Sequence, residues 1–183
     1  MSNVSISQID TENLKLIRHN VVEFMKYISA NYAKHSGRLL DIAPQAHEGA
    51  QPFFEDSILI DTFDINPQSG CTYIGDICKF NSSIPNETYD YIVCTEVLEH
   101  TLQPFNAVNE MWRILKAGGL LFVSTPFNFR IHGPLPDCWR FTEHGLRALL
   151  NRFLIVELNK IETLDRALMP IQYTVIAQKI KDT

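Results

Sequence analysis

From Leu14 to Tyr32 apolar residues return every three or four positions, at Leu14, Ile17, Val21, Phe24 and Ile28. This spacing predicts an amphipathic helix with one apolar stripe, and Gly37 beyond it supplies a stop signal. The runs RLLDIA, SILIDTFD, CTYIGD, YDYIVCT and LLFVST then follow, alternating with helical stretches. Each is short and apolar, as a buried strand is, and together they read as successive parallel strands. Between the last two, Phe105, Val108, Trp112 and Leu115 share one helical face, with Pro104 at the start and Gly118-Gly119 at the end. Thr142 and Glu143 open another helix, which carries Leu146, Leu149 and Leu150. FLIVELNKI and YTVIAQKI close the chain as a strand pair, joined through a connection containing Pro170. The series predicts an open α/β sheet of mostly parallel strands, with helices on both faces and an antiparallel C-terminal pair.

No repeat, low-complexity tract or linker divides the 183 residues. A single domain is expected: an N-terminal helical segment over 1–37, a ligand-binding core over 38–153 and a strand pair over 154–183. Hydrophobic residues at 45% and charged residues at 20% allow a packed core. The formal charge of −5 argues against general nucleic-acid binding, which needs clustered Lys and Arg. No apolar run is long enough to span a membrane, and MSNVSISQIDTEN has neither basic start nor apolar stretch, so a cytoplasmic location is expected. Cys71, Cys78, Cys94 and Cys138 form no CxxC pair, which leaves reduced thiols rather than zinc or disulfides.

In open α/β sheets ligands bind beyond the C-terminal strand ends. Acids recur there: Asp41, Asp64, Asp76 and Glu96. An ionised carboxylate after the second strand suits a vicinal diol, because it accepts from both hydroxyls. Asp64 is the candidate and Asp61, in the same IDTFDINP run, its rival. The missing GxGxxG after the first strand disfavours a nicotinamide oxidoreductase.

The run YDYIVCTEVLEHTLQPFNAVNEMWRILKAGGLLFVSTP resembles the class I S-adenosylmethionine-dependent methyltransferases, specifically the type 11 group of small-molecule and glycan-modifying enzymes. With IDTFDINP and YIGD the likeness extends from about Arg38 to Phe153, and Lys116-Ala117-Gly118-Gly119 stands where the group has Lys-Pro-Gly-Gly. The resemblance implies a Rossmann-like sheet and S-adenosyl-L-methionine as cofactor, with S-adenosyl-L-homocysteine as product. It also implies that Asp64 holds the ribose, Asp76 and Ile77 flank the adenine, Thr95 and Glu96 lie beneath the methionine part, and Asp41 meets its ammonium. Ala43, Ile65 and His100 complete that set.

The chain departs from the group at LLDIAPQAHEGA, where a glycine-rich turn is usual. Ala43 can still accommodate a ligand, whereas Pro44 removes an N–H donor. Two readings stand: an adapted loop in a working methyltransferase, or a catalytically inactive cofactor-binding or scaffold subunit.

On the acceptor side, NFRIHGPLPDCWRFTEHGLRALL resembles an element of the same group associated with cell-envelope and polysaccharide synthesis. That implies a small-molecule or sugar/glycan acceptor, most simply a hydroxyl. His132 is the candidate base, Asp137 its orienting partner or a substrate contact, and Trp139 and Arg140 are candidate substrate contacts. The competing reading packs Trp139 in the core, pairs Arg140 with an acid and ties His132 to a loop. Glu96, Glu99, His100 and a later His also resemble the metal set of small-RNA 3′-end 2′-O-methyltransferases. EVLEH recurs in metal-free relatives, however, and the acidic charge disfavours RNA, so no metal is expected. With few residues outside the core, a homodimer or a partner subunit could complete the site.

Overall fold

The computed structural model describes residues 6–33, 36–44 and 49–180. Helix α1 spans Gln8–Asn31, starting a turn before the apolar stripe because Ser7 caps it, its side chain accepting from Asp10 N. The strands are β1 (Gly37–Ile42), β2 (Ile58–Asp64), β3 (Tyr73–Ile74), β4 (Tyr89–Thr95), β5 (Leu115–Pro126), β6 (Phe153–Ile161) and β7 (Gln172–Lys179). Helix α2 (Pro104–Ile114) joins β4 to β5, and α3 (Glu143–Leu149) joins β5 to β6. The seven strands form one sheet in the order β3-β2-β1-β4-β5-β7-β6. β1 to β5 pair in parallel, and β7 runs antiparallel between β5 and β6.

Strand alternation divides the interior into two layers. Leu39, Tyr91, Val93, Phe122 and Ile176 turn to one face, under Val21, Phe24, Met25 and Ile28 of α1. Leu40, Ile92, Cys94, Leu121, Val123, Val175 and Ala177 turn to the other, packing with Ala107, Val108 and Met111 of α2 and Leu146 and Leu149 of α3. The expected helices on both faces are therefore present, and the sheet is Rossmann-like.

The structure corrects two local expectations. Gly118-Gly119 does not end a helix: α2 stops at Ile114, capped by Leu115 N–H on Met111 O, and both glycines lie in β5. There the register jumps from Tyr89↔Leu115 to Tyr91↔Leu120, a bulge that Gly118 permits at φ 83°. A Cβ at Gly119 would meet Asp90 O at 2.9 Å. Second, the β–α alternation is incomplete among the described residues. The β2–β3 and β3–β4 connections carry no helix, because Asp64, Asn66, Asp76 and Asn81 each accept, through the side chain, the N–H two residues on, at 2.7–3.0 Å. Those contacts favour turns over helix. Between β1 and β2 the described residues hold no α-helix, and a 3-10 turn spans Gln51–Phe53. No helix of the described residues is long and apolar enough to cross a membrane.

Candidate active site

A cavity of about 680 Å³ opens beyond the C-terminal ends of the parallel strands. Its lining includes Asp41, Ala43, Asp64, Ile65, Asp76, Ile77, Thr95, Glu96 and His100, so every sequence-proposed cofactor position reaches one space. Two strand ends turn there through positive φ at non-glycine residues, Ala43 at 57° after β1 and Glu96 at 54° after β4. Such strained turns present backbone closely to a ligand. Positions 45–48, including Gln45 of the altered turn, lie outside the described residues.

Asp41 is buried, and Ala50 N–H donates to its Oδ2 at 2.6 Å. Burial pushes its carboxyl up to about 7 against that single donor. Asp64 uses Oδ1 to accept from Asn66 N at 2.7 Å, and its Oδ2 has no partner among the described residues. Asp61 is absent from the lining: its Oδ2 accepts from Arg38 Nη2 at 2.5 Å and Tyr89 Oη at 3.0 Å. We expect Asp61→Asn to lower stability by about 1–2 kcal/mol, the range of a weakened charged hydrogen bond, and to leave cofactor-product affinity unchanged. Urea unfolding and calorimetric titration read the two effects separately.

Glu96 is half-buried at the cavity wall, its Oε1 accepting from Ser124 Oγ at 2.7 Å and Gln172 Nε2 at 2.8 Å. Burial outweighs both donors and raises its carboxyl to about 7. Glu99, one turn on, is fully buried, and neither carboxylate oxygen has a hydrogen-bond partner among the described residues. Burial, then the charge of Glu96, push it well above the ordinary carboxylate range.

The acceptor-side residues assemble beside this cavity rather than in its lining, where Pro134 and Pro136 of the same loop appear instead. Arg140 grips Asp137 with both terminal nitrogens, at 2.5 and 2.7 Å, and also donates to the carbonyls of Phe129, Arg130 and Trp139. Burial alone would raise Asp137, but Arg140 and the His132 N–H overcome it and hold the carboxyl at about 2. His132 Nδ1 lies 3.0 Å from Asp137 Oδ2. Burial lowers the His132 pKa, opposed by the Asp137 charge, which favours a neutral imidazole. Trp139 is not in the core, being 40% exposed, but its ring stacks on Phe141 and its Nε1–H donates to Thr101 O at 2.7 Å. Arg140 pairs with an acid, so these two side chains brace the loop.

Several lining residues escaped the sequence. Val21, Val22 and Met25 of α1 reach the cavity, although a helical stripe signals only core. Gln172, which holds Glu96 from outside the lining, carries no motif.

The methyltransferase-domain family matches residues 13–180, and the chain belongs to that family, whose cofactor is S-adenosylmethionine. The ubiquinone biosynthesis O-methyltransferase of Glaesserella parasuis serovar 5 (strain SH0165) is 38% identical over 52 residues, which is 28% of this chain and 22% of that protein. The match thus spans about a fifth of the curated relative's length. Among solved structures, a S-adenosylmethionine-dependent methyltransferase from Methanosarcina mazei superposes with a TM-score of 0.64 at 18% identity, over 85% of this chain and 98% of that one. The [4+2]-cyclase SpnF superposes with a TM-score of 0.68 at 15% identity, over 87% and 81%. These likenesses are of fold; the second belongs to a cyclase, so chemistry must be argued from the site.

Proposed function

We propose that this chain transfers a methyl group from S-adenosylmethionine to a hydroxyl of a small-molecule or sugar acceptor. One observation carries the reading: the separately argued cofactor positions line a single cavity, and the His132–Asp137–Arg140 group stands at its side. The lining fits the cofactor. Asp64 keeps one carboxylate oxygen for ribose hydroxyls, buried Asp41 offers a carboxylate to the ammonium, and Ile65 and Ile77 give apolar contact to the adenine. Ala43 adopts the left-handed φ that glycine would otherwise supply, which supports close approach of a ligand at that position.

When bound, S-adenosylmethionine supplies an electrophilic methyl on a sulfonium, open to in-line displacement by an acceptor oxygen. The chain contributes position and proton removal. Arg130 O meets His132 Nδ1 at 3.3 Å and Asp137 Oδ2, fixed by Arg140, lies 3.0 Å from the same nitrogen; a proton held there leaves the other ring nitrogen, Nε2, with a lone pair able to take a hydroxyl proton. Isothermal titration with S-adenosylhomocysteine, followed by methyl-transfer assays on nucleotide-linked sugars, catechols and amines, tests the proposal. The expected result is saturable 1:1 binding and transfer to a sugar or other hydroxyl. Well-folded protein that binds neither cofactor form would overturn it in favour of a scaffold subunit.

A further inference from the structure

The rings of His100 and His132 stand edge to face, 4.8 Å between centroids, with Nε2 of each close to the same oxygen of Glu99, at 3.7 and 3.9 Å from Oε1. In both rings the other nitrogen meets an acceptor. His100 Nδ1 is 3.0 Å from Pro136 O, and His132 Nδ1 is 3.0 Å from Asp137 Oδ2 and 3.3 Å from Arg130 O. Acceptors at Nδ1 hold the ring proton there and leave Nε2 with a lone pair.

Three lone-pair donors therefore converge: two imidazole nitrogens and a buried carboxylate that no hydrogen bond satisfies among the described residues. A buried carboxylate in that state is costly unless a cation or proton compensates it. A proton on Glu99 cannot bridge to the rings, because 3.7 and 3.9 Å exceed hydrogen-bond reach. A metal ion can: donors about 2.1 Å from a tetrahedral ion stand about 3.4 Å apart, a few tenths of an ångström inside the two separations from Glu99. All three donor atoms already lie within 4.8 Å of one another. Asp137, clamped by Arg140, supplies the carboxylate that commonly orients a metal-bound histidine. Glu96 is not among the converging donors, and its Oε1 is taken by Ser124 and Gln172.

We propose that Glu99, His100 and His132 form a site for one divalent cation of the zinc, cobalt or manganese class, which favours mixed imidazole and carboxylate donors. The inference rests on the methyltransferase reading for its role. His100 also lines the cavity, so positions the protein leaves free are reached from the acceptor side. There the cation would take an acceptor hydroxyl and lower its pKa so that its proton passes to water, the Nε2 of His132 then acting as ligand rather than as base.

The test uses tag-free full-length chain, stripped with chelator and titrated with Co²⁺ alone. Visible absorption reports coordination, and thermal unfolding with Zn²⁺ or Mn²⁺ reports stabilisation. The expected result is one equivalent of Co²⁺ with visible bands of low-coordinate cobalt and a raised Tm. Glu99→Gln and His132→Ala should each weaken binding at least 100-fold, while Asp64→Ala binds Co²⁺ normally. Circular dichroism and urea unfolding confirm that each variant is folded, and either ligand variant suffices if the other is not. Absence of saturable Co²⁺ binding by the wild type, or unchanged binding in a folded ligand variant, would overturn the site. S-adenosylhomocysteine binding without cobalt binding removes only the cation site; cobalt binding without cofactor binding removes only the methyltransferase reading.

Discussion

Asp64→Ala is expected to leave the fold intact and to weaken S-adenosylhomocysteine binding about 100-fold. The magnitude follows from two charge-assisted hydrogen bonds to a diol, each worth about 1.5–3 kcal/mol, less the part that water restores in an open cavity. The fold survives because the sheet uses Asp64 through its backbone, its carbonyl accepting from Gly75 N at 2.9 Å. The side chain adds only the bond to Asn66 N, a contact that water entering the cavity can replace. Asp64→Asn keeps an acceptor for Asn66 and loses the charge, so it should fall between wild type and Asp64→Ala. Calorimetric titration of the three proteins, with urea unfolding as the control, gives the ranking. Equal affinities would discard the ribose role outright, because Asp61 is already committed to Arg38 and Tyr89 and cannot inherit it.

That the cavity was legible at all follows from the two-residue period of strands. Leu39-Leu40 and Tyr91 to Cys94 announce strands buried on both faces, and such strands belong to a sheet covered by helices. Once the strands are placed, the acids at their C-terminal ends are placed too, since no long-range information is needed to know where a strand stops. The connections were less legible. Side chains of Asp64, Asn66, Asp76 and Asn81 capture nearby N–H groups, and this competition is decided by local geometry that apolar spacing does not encode. The Gly118-Gly119 pair has the composition of a helix stop, yet burial of Leu115 in the core drew the chain into β5 one turn earlier. A resemblance had grouped Glu99 and His100 with a later His, but that His132 is the one that meets them was not legible, because it depends on how the loop after β5 folds back. Cys138 N and Trp139 N both donate to Glu99 O, at 2.7 and 3.1 Å, and pin that loop across the Leu98–His100 turn.

Asp41→Asn is expected to stabilise the ligand-free chain above neutrality while weakening cofactor binding. Burial raises the Asp41 carboxyl from its ordinary 3.8 to about 7, so the folded chain holds this proton more tightly than the unfolded chain does. The stability is therefore full when Asp41 is protonated and is lost as pH rises from about 4 through 7, by up to about 4 kcal/mol. Asparagine retains an acceptor for Ala50 N–H and has no charge to desolvate, so its Tm at pH 8 should exceed wild type by roughly 5–10 °C. Cofactor binding runs the other way, because an ammonium placed against Asp41 favours the ionised form. Between pH 6 and 7.5, where an α-ammonium remains mostly charged, wild-type affinity for S-adenosylmethionine should rise about eightfold with that ionisation. Asp41→Asn should bind weakly and lack that part of the rise. Glu96, also raised to about 7 by burial, titrates in the same window, and Cys94, Asp64, Asp76 and His100 are the other titratable groups near Asp41 or around the cavity. All of them are retained in the variant, so the difference between the two pH profiles belongs to Asp41. Parallel profiles would remove Asp41 from the ammonium site. A variant no more stable than wild type at pH 8 would show that the buried carboxylate costs the fold little.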